Sequence, residues 1–422
     1  MGYRASTTQC IVRLLPLRNL NQEQAVLCEA LRREAGRCWT DMLQAHLQSR
    51  GGKWLTSVDL GKRFKGEYAL HSQSIQALAQ KLEANVDAAR QLKKEDPAVR
   101  YPHHPKKYQT VVWKASAIHW TEDGRLLLSN GKRAPGVSLP IPDEYRGMDY
   151  CKAELTWRAD HYELCLTMDT GIENPLLKES GQVAGVDLGE VNIAAVATEA
   201  GDALVVSGRA LRSVKQLRNK RHAALTSRID RCKPDSRRHR KLVKSKARAS
   251  AKLRRQQRDI LHKASRQVVE FCQANDVRAM AVGDVRDVQD GVDLGKNANQ
   301  KISQWPHGQF VQYLSYKAKR YGIRVEQIPE DYSTRTCSCD GSVKDHAPRG
   351  RVYACPGCGA VLHRDVNGAC NICSRARYGS YGRVQARTTM YLRPLGRSRA
   401  FETGRGRLSD CCSVISPRTP AL

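Results

Sequence analysis

The sequence predicts a multidomain α+β protein: a small amino-terminal β-barrel with a helical domain inserted into it, then an α/β domain on a mixed sheet carrying a cysteine-rich insert. Three observations predict this order. An early strand-like run, TTQCIVRLLPL at residues 7–17, precedes about 75 residues of helical periodicity. From Thr110 the period shortens to two, with turn residues between short apolar runs. Past residue 180, strand-like and helix-like segments alternate, as in an α/β sheet.

The barrel is assigned to residues 1–20 and 100–172, and the helical domain to 21–99. In the latter, EQAVLCEALRREAGRCWTDML and SIQALAQKLEANVDAARQL repeat apolar residues three and four apart, the spacing of a helix face. The barrel strands are TVVWKASAIHW, RLLLS, GVSLPIP, KAELTWRAD and HYELCLTMD. Because the first strand precedes the helices, the simplest topology starts the barrel at the amino terminus and inserts the helical domain into it. After a linker around Gly171–Gly181, VAGVDLGEVNIAAVATEAG reads as one buried strand with Asp187 at its centre, and ALVVSG as a second. A basic stretch follows, split by KPDS at 233–236 into an antiparallel helical hairpin spanning 209–266. A strand from Arg278 to Val282, a polar loop, a helix (GQFVQYLSYKAKRYG), a strand (IRVEQIPE), the cysteine segment 337–359 and the helix opened by HRDVNGACNI complete an α/β domain of 181–336 and 360–376. Residues 377–422, rich in Arg, Gly, Ser and Pro, are expected to be a disordered basic tail.

The 422-residue chain carries 71 Lys and Arg against 42 Asp and Glu, a net charge of +29. Such a surplus repels itself in a compact fold unless a polyanion neutralises it, which points to nucleic acid. It is also local, with 22 Lys and Arg against 3 Asp and Glu between Arg209 and Arg266. Phosphate contact accounts for so one-sided a hairpin better than a merely solvated helix pair. No run of about 18 apolar residues is present for a membrane span, and the first residues lack the apolar core of a secretory signal, so a cytoplasmic protein is expected. The 15 cysteines should then be reduced thiols, and close groups of them point to metal rather than disulfides.

Four cysteines form such a group: Cys337 and Cys339 in CSC, Cys355 and Cys358 in CPGC. CPGC has the spacing at which both thiolates of a turn reach one ion; CSC is a residue short. A structural Zn²⁺ held by all four is expected, with no open position for catalysis. Asp187, in the apolar run GVDLGEVNIAAV, must be paired, hydrogen-bonded or bound to a cation, and Asp365 in HRDVNGACNI is a second such acid. Convergent carboxylates can hold two Mg²⁺ ions for phosphodiester hydrolysis. In the barrel region Trp113, His119, Trp120, Trp157 and Tyr162 interleave with Lys114 and Arg158, a mixture that suits base stacking and core packing equally.

GVDLGEVNIAAVA, HKASRQVVEF, KISQWPHGQFVQYLSYKAKRYGIRVEQIPEDYSTRTCSC, CPGCG and HRDVNGACNI together resemble the TnpB family, the OrfB proteins of transposons, and the related compact type V CRISPR effectors. The resemblance is dense from about Val183 to Ser374 and only architectural before it. It implies an amino-terminal wedge barrel, an inserted helical recognition domain, and an RNase H-like RuvC domain with an inserted zinc finger. It further implies a Mg²⁺-dependent, RNA-guided DNA endonuclease, with guide RNA and double-stranded target DNA as partners, acting in the prokaryotic cytoplasm at the nucleoid as a monomer or homodimer. A compact type V CRISPR effector and a nuclease-dead RNA-guided DNA binder are the alternatives. The family's RuvC triad reads Asp, Glu, Asp, yet here the strand that should end in Glu ends in Gly283. Asp284 could stand in, although its side chain should face away. Glu330, at the end of the next strand, could reach the site instead and is the preferred assignment with Asp187 and Asp365. An inactive site is the third reading.

Overall fold

The computed structural model describes residues 8–130, 134–286, 295–346, 348 and 350–394. The chain divides into two compact units, Met1–Glu173 and Asn174–Leu422.

In the first unit, strand β1 (Thr8–Leu17) leads into helices α1 (Gln22–Gln48), α2 (Ser57–Arg63) and α3 (Ser72–Glu95). Helix α1 starts where Asn21 and Gln24 cap each other's backbone N–H groups, at 2.8 and 3.1 Å. Then come β2 (Val111–Lys114), β3 (Ile118–Trp120), β4 (Leu126–Leu128), β5 (Val137–Leu139), β6 (Asp149–Trp157) and β7 (Tyr162–Glu173). The helices thus separate β1 from its sheet, in which β1, β7, β6 and β2 lie side by side, all antiparallel. The run TVVWKASAIHW is two strands rather than one, because a 3₁₀ turn at Ala115–Ala117 breaks it. Its second half joins a separate sheet, β3-β4-β5, so the hydrogen bonding among the described residues forms two sheets and not a closed barrel. Both sheets and the helices share one core, with Trp39, Met42, Trp113, Leu126 and Leu164 in it. Trp113 and Tyr162 are therefore packing residues, whereas His119 is exposed and Trp157 keeps 44% of its surface in solvent.

The second unit is built on a six-stranded mixed sheet. Strands β8 (Gln182–Leu188), β9 (Asn192–Thr198) and β10 (Asp202–Ser207) form an antiparallel meander. The segment expected as one strand is therefore a hairpin, turned at residues 189–191. Helices α4 (Arg209–Asp230) and α5 (Arg237–Ala274) form the basic hairpin, and β11 (Val277–Gly283) returns parallel to β8. Helix α6 (Lys296–Ser303), helix α7 (His307–Lys319) and β12 (Arg324–Ile328) follow, with β12 parallel to β11. A small hairpin, β13 (Val352–Ala354) and β14 (Val361–His363), precedes helix α8 (Arg364–Tyr378). Strand β15 (Thr388–Leu392) closes the sheet, parallel to β10, in the order β12-β11-β8-β9-β10-β15.

Strand β15 corrects the expected disorder of residues 377–422. TTMYL is β-branched and aromatic, and edge pairing with β10 satisfies its backbone where the surrounding Arg and Gly suggest no structure. Residues 395–422 of that expectation lie outside the described residues. The carboxyl-terminal half of α5, with α7, packs one face of the sheet through Ile260, Leu261, Val268, Phe310 and Leu314. Helix α8 packs the other through Val366, Ala369, Cys370 and Cys373. Among the described residues, no helix is long and apolar enough to cross a membrane.

Candidate functional site

Side chains alternate faces along β8. Val186 and Leu188 join the core beneath α5 and α7, so Asp187 between them points to the α8 face. On the neighbouring parallel strand Val282 pairs with Val186, which puts position 283 beside Asp187 on that same face. Position 283 is glycine, and the space its side chain would enter is taken. A Cβ built there would lie 2.0 Å from Glu330 Oε2 and 3.1 Å from Ile372 Cδ1. Glu330, two residues beyond β12, thus delivers its carboxylate from the adjacent strand into the place a residue-283 side chain would fill.

Asp365 occupies the first turn of α8, where His363 caps the helix by accepting the Asp365 N–H at 3.3 Å. One turn on, Gly368 presses against Asp187; a Cβ there would come within 2.7 Å of Oδ2, so a larger residue would displace the carboxylate. Asn192, at the start of β9, donates to Asp365 Oδ2 at 2.8 Å, and Arg364 Nε lies 3.2 Å from Oδ1. The side chain of Asp365 is 14% exposed. Asp284 faces elsewhere, as strand alternation requires. Arg286 grips it through Nε and Nη2 at 2.5–3.0 Å and holds its carboxyl below the usual range.

The electrostatics differ sharply among these acids. Burial pushes the Asp187 carboxyl well above the usual carboxylate range; Glu330 and Asp365 push it the same way, and Arg364 opposes them. Burial, then Asp284 and Asp331, push Glu330 up to about 7. Its Oε2 is buried and has no hydrogen-bond partner. A buried, unpartnered carboxyl oxygen among like charges is costly alone and favourable beside a cation. The oxygens of the three acids are not all within 4.8 Å of one another, unlike the cysteine group described next.

The cysteine segment forms two turns of the same design. In the second, Cys355 N–H donates to Ala360 O and Gly359 N–H to Cys355 O; in the first, Cys337 N–H donates to Ser342 O and Gly341 N–H to Cys337 O. Gly341 and Gly359 both take left-handed φ, +75° and +72°. The position matching Cys358 in the first turn is therefore Asp340, not Cys339. Cys337, Asp340, Cys355 and Cys358 place one ligand atom each within 4.8 Å of all the others, and Cys339 is not in that group. Ser342 orients Asp340 through its N–H at 2.9 Å and its hydroxyl at 2.7 Å. The Cys339 thiol lies at the edge of this group, in contact with Cys337 and Cys358, and its backbone N–H donates to Cys337 Sγ at 3.4 Å. The donor set fits Zn²⁺ with three thiolates and a carboxylate. The signal was present in the sequence as CSCDG beside CPGCG, in which the glycine, not the cysteine count, fixes the register.

In the basic hairpin, α4 and α5 touch through small polar contacts, His222 with Ser250 at 2.5 Å and Lys246 with Thr226 at 2.6 Å. An open cleft of about 770 Å³ between α4 and α6 is lined by Arg218, His222, Ser227, Arg231, Gln300 and Gln304.

Two family profiles match the chain: the one described as Probable transposase, OrfB_IS605, over residues 165–289, and the one described as Cas12f1-like, TNB domain, over 307–372. TnpB-like protein ORF457 of Acidianus two-tailed virus is 26% identical over 200 residues, 47% of this chain and 42% of that protein. Over these stretches the chain is similar to TnpB-family proteins. It shares 34% identity over 73 residues with TnpB-like protein L79 of Acanthamoeba polyphaga mimivirus, 17% of this chain and 14% of the relative. Its relation to type V effectors appears in the CRISPR-associated endodeoxyribonuclease Cas12f1 of Sulfoacidibacillus thermotolerans, 26% identical over 112 residues, 26% of this chain and 25% of that protein. The matched stretches span less than half the length of these curated relatives. The fold of the chain is similar to that of Cas12f1 in the cryo-EM structure of a Cas12f1–sgRNA–target DNA complex. The TM-score is 0.61 at 14% identity, over 84% of this chain and 83% of the other.

Proposed function

We propose that the chain is an RNA-guided DNA endonuclease of the TnpB kind, its second unit a RuvC-type nuclease domain in which Asp187, Glu330 and Asp365 are the catalytic acids. One observation carries the reading. Glu330 fills the space vacated at Gly283, on the face shared with Asp187, so the strand that lacks its acid is supplied with one from the strand beside it.

The residues fit Mg²⁺. Burial raises both Asp187 and Glu330, with Glu330 and Asp365 adding to the effect on Asp187, and the orphaned Oε2 of Glu330 is the kind of donor a hard dication satisfies. When bound, two such ions supply an activated water and charge stabilisation for phosphodiester hydrolysis. The protein's own part is positional. Asn192 and Arg364 fix the Asp365 carboxylate, Gly368 lets α8 carry it against β8, and Arg286 keeps Asp284 out of the way. The α4–α5 hairpin would hold a guide RNA through phosphate contacts, with base pairing by the guide selecting the double-stranded target. The knuckle would hold a structural Zn²⁺ through Cys337, Asp340, Cys355 and Cys358.

The test is plasmid cleavage by the chain purified with its RNA in Mg²⁺. Glu330→Gln should abolish cutting with RNA binding intact, whereas Asp284→Asn should leave cutting in place. Cleavage surviving in the first variant removes Glu330 from the site. A wild-type protein that binds RNA and target yet never cuts would favour the nuclease-dead reading that Gly283 alone suggests.

A further inference from the structure

The first unit contains a second group of metal-ligand residues, far in sequence from the knuckle. Cys10 on β1, Cys151 on β6 and Asp169 on β7 each offer a ligand atom within 4.8 Å of the other two. Strand β7 lies between β1 and β6, and its register with each explains how three strands meet at one point. Cys10 pairs with Asp169, so both point to the same face of the sheet. That face is the outer one, because Met168 next to Asp169 is fully buried. On the other side Tyr150 pairs with Met168 and Lys152 with Thr167, leaving Cys151 as the extra residue of a β-bulge. A bulge places two consecutive residues against one on the partner strand and re-aims a side chain. It turns Cys151 outward, over the same strand position as Cys10, and both cysteines are exposed.

The spacing argues against a disulfide. β1 and β6 are separated by the whole width of β7, about 10 Å at the ordinary strand spacing, while a disulfide needs Cα atoms closer than about 7 Å. A metal ion of thiolate bond length about 2.3 Å bridges two sulfurs at the separation seen here without moving either strand. The carboxylate is prepared for that role. Asp169 accepts the Thr8 hydroxyl at 2.5 Å through Oδ2 and the Gly171 N–H at 2.9 Å through Oδ1, and these bonds hold its carboxyl below the usual range. Asp149, paired with Asp169 on β6, adds negative charge at the same place.

We propose that Cys10, Cys151 and Asp169 form a binding site for a thiophilic divalent cation, Zn²⁺ above all, that clips β1 to β6 across β7. Three protein ligands leave a fourth tetrahedral position for water or an incoming donor. The clip would tie down the first strand of the chain, which otherwise holds its sheet along one edge only.

The test uses the full chain in reducing buffer with Zn²⁺ as the probe. Zn²⁺ should slow alkylation of Cys10 and Cys151 by iodoacetamide, read peptide by peptide in a mass spectrometer, and leave Cys232 on the basic hairpin unaffected. Zinc content should fall by one equivalent per chain in Cys10→Ser/Cys151→Ser, with the knuckle equivalent retained. Thr8→Val, which keeps all three ligands and removes one orienting bond, should weaken Zn²⁺ protection of the two thiols about 10- to 100-fold. Equal alkylation rates with and without Zn²⁺, or equal zinc content in wild type and the double variant, overturns the proposal. So does a Cys10–Cys151 disulfide in a protein whose reduced thiols ignore the metal.

Discussion

Glu330→Gln should make the metal-free protein more stable at neutral pH while destroying its cleavage. The carboxyl of Glu330 is pushed from 4.5 up to about 7 in the folded chain, chiefly by burial. A raised acid binds its proton more tightly folded than unfolded, so its contribution is most favourable below the unfolded value near 4.5. That contribution is lost as the pH rises through about 7. The difference of some 2.5 units corresponds to roughly 3 kcal/mol at 1.36 kcal/mol per unit. Glutamine carries no charge and escapes the loss. In EDTA, the melting temperatures of wild type and variant should therefore nearly coincide at pH 4.5 and separate as the pH is raised. By pH 8 the variant should melt higher by roughly 6–12 °C, taking 2–4 °C per kcal/mol for a unit of this size. Adding Mg²⁺ should reverse the order, stabilising the wild type and not the variant. A difference that is constant with pH, or a wild type indifferent to Mg²⁺ at pH 8, would refute the placement of this carboxylate in a cation site.

Gly283→Ala forces a methyl group to within 2.0 Å of Glu330 Oε2 and should lower plasmid cleavage sharply; Gly283→Glu combined with Glu330→Ala should recover part of it. At the knuckle, Asp340→Ala should lower zinc content and expose residues 336–363 to proteolysis, whereas Cys339→Ser should retain the metal; the opposite ranking returns Cys339 to the ligand set. Arg218→Gln and Arg231→Gln, at the α4 cleft, should each reduce the slope of log affinity for RNA against log salt by about 1. Trp113→Ala, in the core of the first unit, should cost about 3–5 kcal/mol in denaturant unfolding, while Trp157→Ala should cost little stability.

Asp187 was legible because a carboxylate inside an apolar run is chemically conspicuous, whereas Asp365, among His363, Arg364 and Asn367, stood out through the family resemblance of HRDVNGACNI. Glu330 stands out in the sequence only because position 283 is glycine, and its reach toward that position depends on strand order, which periodicity does not report. The β8–β9 hairpin was hidden because both strands are apolar on both faces, so the short turn GEV between Leu188 and Asn192 looks like a ripple in one buried strand. Strand β15 was obscured by composition: five strand-forming residues sit inside an Arg- and Gly-rich stretch and are fixed by their neighbour β10 rather than by local preference. Asp340 was missed by counting cysteines, although the two glycines already gave the turn register. Asn192 has no sequence signal of its own; only the packing of α8 against the start of β9 puts it within reach of Asp365.

Helix α5 is 38 residues long, about 57 Å, and contains neither proline nor glycine. Its carboxyl-terminal part is core, buried through Ile260, Leu261, Ala264, Val268 and Phe271, while its first half is rich in exposed Lys and Arg. The same rod is thus both a handle and a foundation. Force applied to the handle by a bound polyanion has no joint in which to dissipate before it reaches the strands that carry Asp187 and Gly283. If the charged half holds nucleic acid as proposed, its grip and the alignment of the sheet are joined by one unbroken helix, as in a lever.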